Sequence, residues 1–364
     1  MKKIRYIAII LVFSLLIGGT SLLGIAKSDE EISAWERRRL QQLPELSWSS
    51  LQSGDFMKNF ESYLSDQFPL RDSLRRLKAR IHFNVLGQKD NSGIYIAEGH
   101  AGKLDPVLND DLVQGFTDKV TELYDTYLAA TDCKVYYSVI PDKNYFLAEK
   151  NGYPAFDYAE LFGMVDKNLR FMTKIDISEL IEIEDYYTTD THWKQESITD
   201  VAHKIRTAMG MKSDASYEEK SVGEFYGVYY GQSALPLEAD EIKYLTNEEL
   251  ELCTVFNAET QKNTRVYDME KLQSMDLYDV FLSGAVSFME ISNPTAKTGR
   301  ELVIFRDSFG SSLAPLLLSG YEKVTLIDTR YIMPELVGEY ITFKNQDVLF
   351  IYSTLLINSS GALK

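Results

Sequence analysis

The chain has 364 residues, with 38 Lys and Arg against 54 Asp and Glu, a formal charge of −16 at pH 7. That length allows two domains or one α/β domain carrying insertions, and a hydrophobic content of 45% excludes a disordered chain. The acidic balance argues against nucleic-acid binding, which depends on Lys and Arg meeting phosphates, and two cysteines exclude a disulfide-stapled scaffold.

The N-terminus is basic, with Lys2, Lys3 and Arg5, and Tyr6 to Ala26 then carries no charge. As a helix this apolar run would span about 32 Å, enough for a bilayer core. Gly24-Ile25-Ala26 offers a small-residue cleavage site, so a signal anchor and a cleaved signal peptide both stay open over residues 1–26. Either way, the positive flank places residues 27–364 outside the cytoplasm, at the cell membrane or secreted. Cys133 and Cys253 are then able to pair or to stand as two thiols.

Residues 27–53 read as a charged stalk, with Glu36-Arg37-Arg38-Arg39-Leu40 followed by Leu43-Pro44. Phe56, Phe60 and Leu64 predict a helix, and Leu74, Leu77, Ile81 and Val85 a second one, with Phe68-Pro69 breaking the chain between them. A strand is predicted over Ile94 to Ala97, with a hairpin turn from Gly99 to Gly102. A helix follows over 110–130, with Leu112, Phe116, Val120, Leu123 and Tyr127 on one face. The apolar strand 134–140 closes at Pro141-Asp142, and another helix lies near 157–173.

After His192, the spacing of Ile198, Val201, Ile205 and Met209 predicts a helix ending at Gly210. Residues 211–296 hold no sustained period and read as an irregular insertion with short β-like pieces at 226–230, 253–256 and 264–267. The last stretch alternates regularly: strand 301–305, helix 310–318, strand 323–327, helix 334–340, strand 347–352. Alternating strands and helices predict an α/β fold with a parallel sheet flanked by helices. Catalytic groups in such sheets gather at the carboxyl ends of the strands.

Two motifs fall at such places. Phe305-Arg306-Asp307-Ser308-Phe309-Gly310 lies between a strand and an apolar helix, where a serine hydroxyl can stand exposed beside free backbone N–H groups. Ser308 or Asp307 capping the helix is the plainer alternative. Thr189-Asp190-Thr191-His192-Trp193-Lys194 lets a carboxylate hold one imidazole nitrogen while the other faces a nucleophile. His82, His100 and His203 have no comparable surroundings, and no metal-ligand spacing emerges. Ser308, His192 and Asp190 together compose a candidate nucleophile, base and orienting acid.

These residues also carry a resemblance. Asp190-Thr191-His192-Trp193 with the later Arg306-Asp307-Ser308-Phe309 resembles the DHHW protein family and is similar to the SGNH-hydrolase-like alginate O-acetylation proteins. Glu36 to Leu40, Phe60 to Leu64, Asp66 to Asp72 and Gly93 to Ile96 are compatible with the same group. The resemblance implies an SGNH-hydrolase-like domain over 54–364, interrupted by an insertion at about 211–296. It further implies Ser308 as nucleophile, His192 as base, Asp190 as its partner and no cofactor.

The implied reaction is acetyl transfer to or from a cell-surface polysaccharide, with a membrane-bound protein as a candidate acyl donor. The non-catalytic alternative is a glycan-binding or envelope scaffold using the tyrosines of 226–230. Arg330 and Tyr331, with Arg306, are candidates for holding the acyl carbonyl or glycan, and Asn144 and Gly227 for the oxyanion. Two departures stand out: Arg306 where the pattern has Gly, and Thr191 where it has a second His.

Overall fold

The computed structural model describes residues 2–33, 35–211 and 215–359, so Met1, Ala34 of the stalk, 212–214 of the middle segment and 360–364 lie outside the described residues. The chain forms two compact units, one of residues 1–92 with 230–236, the other of 93–229 with 237–364.

The first unit begins with helix α1 (Lys2–Ala26), whose span from Ile4 to Ala26 is long and apolar enough to cross a membrane by length and composition. Helices α2 (Asp55–Asp66) and α3 (Arg71–Arg80) follow, separated at Phe68-Pro69 as the sequence predicts. The charged motifs of this unit meet. Arg38 donates to both oxygens of Asp66 at 2.8 and 2.5 Å, while Glu36 binds Arg71 and lies 3.2 Å from Arg75.

The second unit opens with the antiparallel hairpin β1 (Ile94–Ala97) and β2 (His100–Lys103). The turn is tighter than the sequence suggests, because Glu98 and Gly99 take positive φ and close it in two residues. Then come α4 (Asp110–Leu123), β3 (Lys134–Ile140), α5 (Lys143–Leu147), α6 (Tyr158–Asn168), β4 (Thr173–Lys174) and α7 (Thr199–Ala208). The middle segment supplies the pair β5 (Glu218–Phe225) and β6 (Asp240–Thr246), followed by β7 (Thr254–Asn257), β8 (Lys262–Thr264) and β9 (Phe288–Ser292). The chain finishes with β10 (Glu301–Arg306), α8 (Phe309–Leu317), β11 (Lys323–Ile327) and β12 (Asp347–Ser353).

An eight-stranded sheet of order β8-β7-β9-β11-β10-β12-β3-β4 forms the centre of this unit. The strands from β11 to β4 pair in parallel, while β9, β7 and β8 extend the other edge in antiparallel fashion. The middle segment therefore completes the sheet. One piece of it, Tyr226 to Tyr230, is not extended, because a short helix begins at Val228.

The period of two in the strands divides the core. Leu302, Ile304, Leu349 and Ile351 face α7 and α8 in one cluster, while Val303, Phe305, Val348 and Phe350 face α4 and α6 in the other. A sheet covered on both faces explains why these strands read as continuous apolar runs. Cys133 and Cys253 are both free thiols, the latter buried with its Sγ against the Glu249 carbonyl at 3.2 Å.

Candidate active site

The carboxyl ends of β3, β10, β11 and β12 lead into Asp142, Asp307, Asp328 and Ser353 respectively, all buried. Asp307 caps α8, since its Oδ1 accepts from the Phe309 amide at 3.0 Å. Its Oδ2 accepts from the Ser353 amide and hydroxyl at 2.8 and 2.6 Å, tying two strand ends together. Ser308 makes no side-chain cap to the helix. The cap belongs to Asp307, which leaves the half-buried Ser308 hydroxyl available.

That hydroxyl lies 2.8 Å from Nε2 of His192, and Nδ1 of His192 lies 2.6 Å from Oδ1 of Asp190. Both distances are within the range for acid–base contacts. With its Nδ1 proton donated to the carboxylate, the imidazole presents Nε2 as the acceptor for the serine proton. Asp190 is 1% exposed and His192 8%, so their bond is shielded from water. Oδ2 of Asp190 accepts from the Val228 amide at 2.8 Å, which fixes the carboxylate plane.

The segment carrying these two residues has no regular structure, and its neighbours hold it instead. Asp240 accepts from the amides of Thr188 and Thr189 at 2.6 and 2.8 Å and from both hydroxyls at 2.7 and 2.5 Å. Lys143, the first residue of α5, donates from Nζ to the carbonyls of Tyr187, Thr188 and Asp190 at 2.7, 3.1 and 3.1 Å. Trp193 is fully buried and donates its indole N–H to Ser312 Oγ at 2.9 Å, so the His192 segment is pinned to the helix that follows Ser308. The Tyr278 ring stacks on the imidazole at 3.9 Å between centroids and 10° between planes, and its hydroxyl lies 2.8 Å from Ser312 Oγ.

The pattern contained hints of only part of this support. A Pro141-Asp142-Lys143 stop after an apolar strand marks a strand end, the usual place for site residues. Tyr278 sits in a short 3₁₀ turn of the aperiodic middle segment, where spacing carries no signal.

Burial pushes the Lys143 ammonium down to about 7 from its ordinary 10.5, against the opposing pull of the Asp240 and Asp190 carboxylates. The unfolded chain then binds more protons at this site than the folded one between those two values. The stability contributed by Lys143 accordingly rises with pH through that window and is lost as the pH falls back to about 7. The thermal midpoint of the wild type should therefore gain on that of Lys143→Met as pH is raised from about 7 to 9; a gap that narrows instead contradicts this assignment.

The remaining candidates fall elsewhere. The Asn144 carboxamide accepts from the Tyr95 hydroxyl at 2.7 Å and donates to the Lys103 carbonyl, so it anchors the β1–β2 hairpin. The Gly227 amide donates to Thr189 Oγ1 at 2.8 Å, and a Cβ there would lie 2.3 Å from the Cα of Asp190. Neither bonds Ser308 or His192 among the described residues. With these donors engaged, Asn144 and Gly227 support the framework.

Gly227→Ala is expected to cost about 1–3 kcal/mol through overpacking, because the obstructing atoms are backbone. It should also displace Asp190 from His192. Thermal unfolding and turnover measured together check both effects; a stable variant with wild-type turnover would contradict them.

Arg306 is 0% exposed, so it cannot reach a sugar at the surface as the sequence reading allowed. Its guanidinium lies 3.4 Å from Asp328 Oδ2, the Asp307 carbonyl and the Gly284 carbonyl. Gly310 makes room for it, since a Cβ at 310 would lie 2.6 Å from Arg306 Cβ. Arg330 forks onto Asp328 at 2.8 and 2.6 Å, with its guanidinium 5.3 Å from the Tyr331 ring centroid, and Tyr331 is 46% exposed. Of the secondary candidates, Tyr331 is thus the one open to solvent and Arg330 the partly open one.

Residues 155–327 match the model of the family described as DHHW protein, a span that includes Asp190, His192 and Ser308. The crystal structure of a DHHW family protein from Eubacterium siraeum superimposes with a TM-score of 0.61 at 19% identity, covering 75% of this chain and 94% of that one. Bacillus cereus PatB1 with a sulfonyl adduct gives 0.58 at 17% identity, covering 72% and 95%. At these identities the likeness is one of fold. No curated relative matches the sequence.

Proposed function

We propose that this chain, whose residues 155–327 match the DHHW protein family model, is an extracytoplasmic serine acyltransferase or esterase moving acetyl groups to or from a polysaccharide hydroxyl. The single observation that carries the reading is the continuous contact from Ser308 Oγ through His192 to Asp190 at 2.8 and 2.6 Å.

In this mechanism His192 Nε2 takes the Ser308 proton as Oγ attacks the acyl carbonyl. The oxyanion forms beside the N-terminus of α8, where the helix dipole favours negative charge. As the C–O bond of the donor breaks, His192 protonates the leaving oxygen and an acyl-serine is left. A glycan hydroxyl or water then gives its proton to His192 and attacks the ester carbon, and His192 returns that proton to Ser308 Oγ as the acyl–serine bond breaks. Tyr331 is the exposed group suited to contact a sugar, with Arg330 beside it held by Asp328.

The apolar α1 with its basic start supports attachment to, or export across, a membrane. The test is turnover by the purified chain of an aryl acetate and of an O-acetylated glycan, with intact mass reporting acetyl-serine. Acetate release that disappears in Ser308→Ala is expected. Absence of both turnover and adduct would overturn the proposal in favour of a scaffold that binds glycan without catalysis.

A further inference from the structure

The first unit carries an apolar stripe that stays exposed among the described residues. Leu74, Leu77, Ile81 and Val85 recur at steps of three and four along α3 and the π-helical turn that continues it, with Leu70 at the N-cap just before them. The four helical residues therefore share one face, about 16 Å long. Leu70 is 71% exposed, Leu77 53% and Val85 73%. Ala79, on the opposite side of the helix, is fully buried. Arg75 also turns inward, donating to the Gly231 carbonyl at 2.9 Å and lying 3.2 Å from Glu36. The helix is held to its unit by one face and presents the apolar one outward.

The charge around the stripe has the opposite sign to that of the protein. Between Phe68 and Lys89 there are six Lys and Arg and one acidic residue, Asp72, in a chain whose net charge is −16. Arg71 and Arg75 are engaged with Glu36, whereas Lys78 and Arg80 are exposed and flank the stripe. An apolar face bordered by cations is the pattern of a helix lying in a membrane interface, its side chains among acyl chains and its cations among anionic headgroups. A scattered exposed leucine needs no explanation, but a contiguous stripe does.

The stripe also begins beside the membrane candidate. A Cβ on Gly24, in the last turn of α1, would lie 3.7 Å from the ring of Pro69, one residue before Leu70. The point where α1 would leave the bilayer is thus the point where the stripe starts.

We propose that the Leu70–Val85 face of α3 docks on the anionic lipid surface of the membrane that α1 enters. This rests on α1 as the membrane segment and is independent of any turnover at Ser308.

The test uses the full chain in vesicles containing phosphatidylglycerol, with Cys133 and Cys253 replaced by alanine. An environment-sensitive fluorophore is placed at Leu77→Cys or Ile81→Cys, with Asp118→Cys as an exposed control, and the lipids carry a nitroxide near the headgroup. Labels at 77 and 81 are expected to be quenched severalfold more than the label at 118. Lys78→Glu with Arg80→Glu, or vesicles of phosphatidylcholine alone, should reduce that quenching. Equal quenching at 77, 81 and 118 in chains whose α1 is inserted, as judged by protease protection, would overturn the proposal while leaving α1 as the anchor. Chains that do not insert would overturn both. Cross-linking between copies of the Leu77→Cys variant, without lipid quenching, would assign the face to a second copy of the chain and reject the lipid surface.

Discussion

Ser308→Ala and His192→Ala are each expected to lower acetyl turnover on the order of 10⁴–10⁶-fold, with the double variant scarcely worse than either alone. In the proposed mechanism the three groups act as one unit. Without Oγ no acyl-serine forms, and without Nε2 at 2.8 Å the hydroxyl keeps its proton at neutral pH. Asp190→Asn should give a comparable loss by a different route. An amide in place of the carboxylate 2.6 Å from Nδ1 favours the imidazole tautomer whose proton sits on Nε2, which blocks acceptance from Ser308. Thermal unfolding should separate the three. Ser308→Ala touches neither helix cap nor core and leaves the midpoint nearly unchanged, because Asp307 provides the cap. Turnover within tenfold of wild type in both Ser308→Ala and His192→Ala would contradict a catalytic triad.

Asp328→Ala is expected to have the largest effect on stability. Asp328 and Arg306 are both 0% exposed, and the carboxylate faces Arg306 at 3.4 Å on one side and Arg330 at 2.6 Å on the other. Burial, with a smaller push from the Arg330 cation, moves the Arg306 guanidinium down from its ordinary value, and Asp328 is the main group opposing that shift. Removing the carboxylate leaves a cation enclosed with its carbonyl contacts only, at a cost of about 3–5 kcal/mol. At about 2–4 °C per kcal/mol for a domain of this size, the midpoint should fall by roughly 6–20 °C. Arg306→Met should cost less, since it removes the enclosed charge and leaves Asp328 paired with Arg330. The reverse order of the two variants would show that Arg306 is held by something other than Asp328.

The candidate site residues were legible because their spacing is itself chemical. Asp190 and His192, two apart, can share a hydrogen bond across one segment, and Ser308 follows a strand and precedes a helix. The sheet was legible for a similar reason, since β10, β11 and β12 are buried on both faces and read as apolar runs between helices. The role of the middle segment was not. Strands β7, β8 and β9 are short and antiparallel, and their partners are distant in sequence, so no local period announces that they extend the sheet. Tyr278 belongs to the same stretch and reaches His192 only through the tertiary fold. Arg306 was misread for a physical reason. A cation beside a candidate nucleophile suggests a substrate contact, whereas the absence of a Cβ at Gly310 lets the side chain fold back to Asp328.

The proposed mechanism makes Ser308 a nucleophile activated by His192. Treatment of the purified chain with an arylsulfonyl fluoride at neutral pH, followed by intact mass and peptide mapping, tests it without knowledge of the glycan or the acyl donor. One sulfonyl adduct per chain, on Ser308 and greatly slowed in His192→Ala, is the predicted result. An unmodified chain, or an adduct that persists in Ser308→Ala, would contradict it.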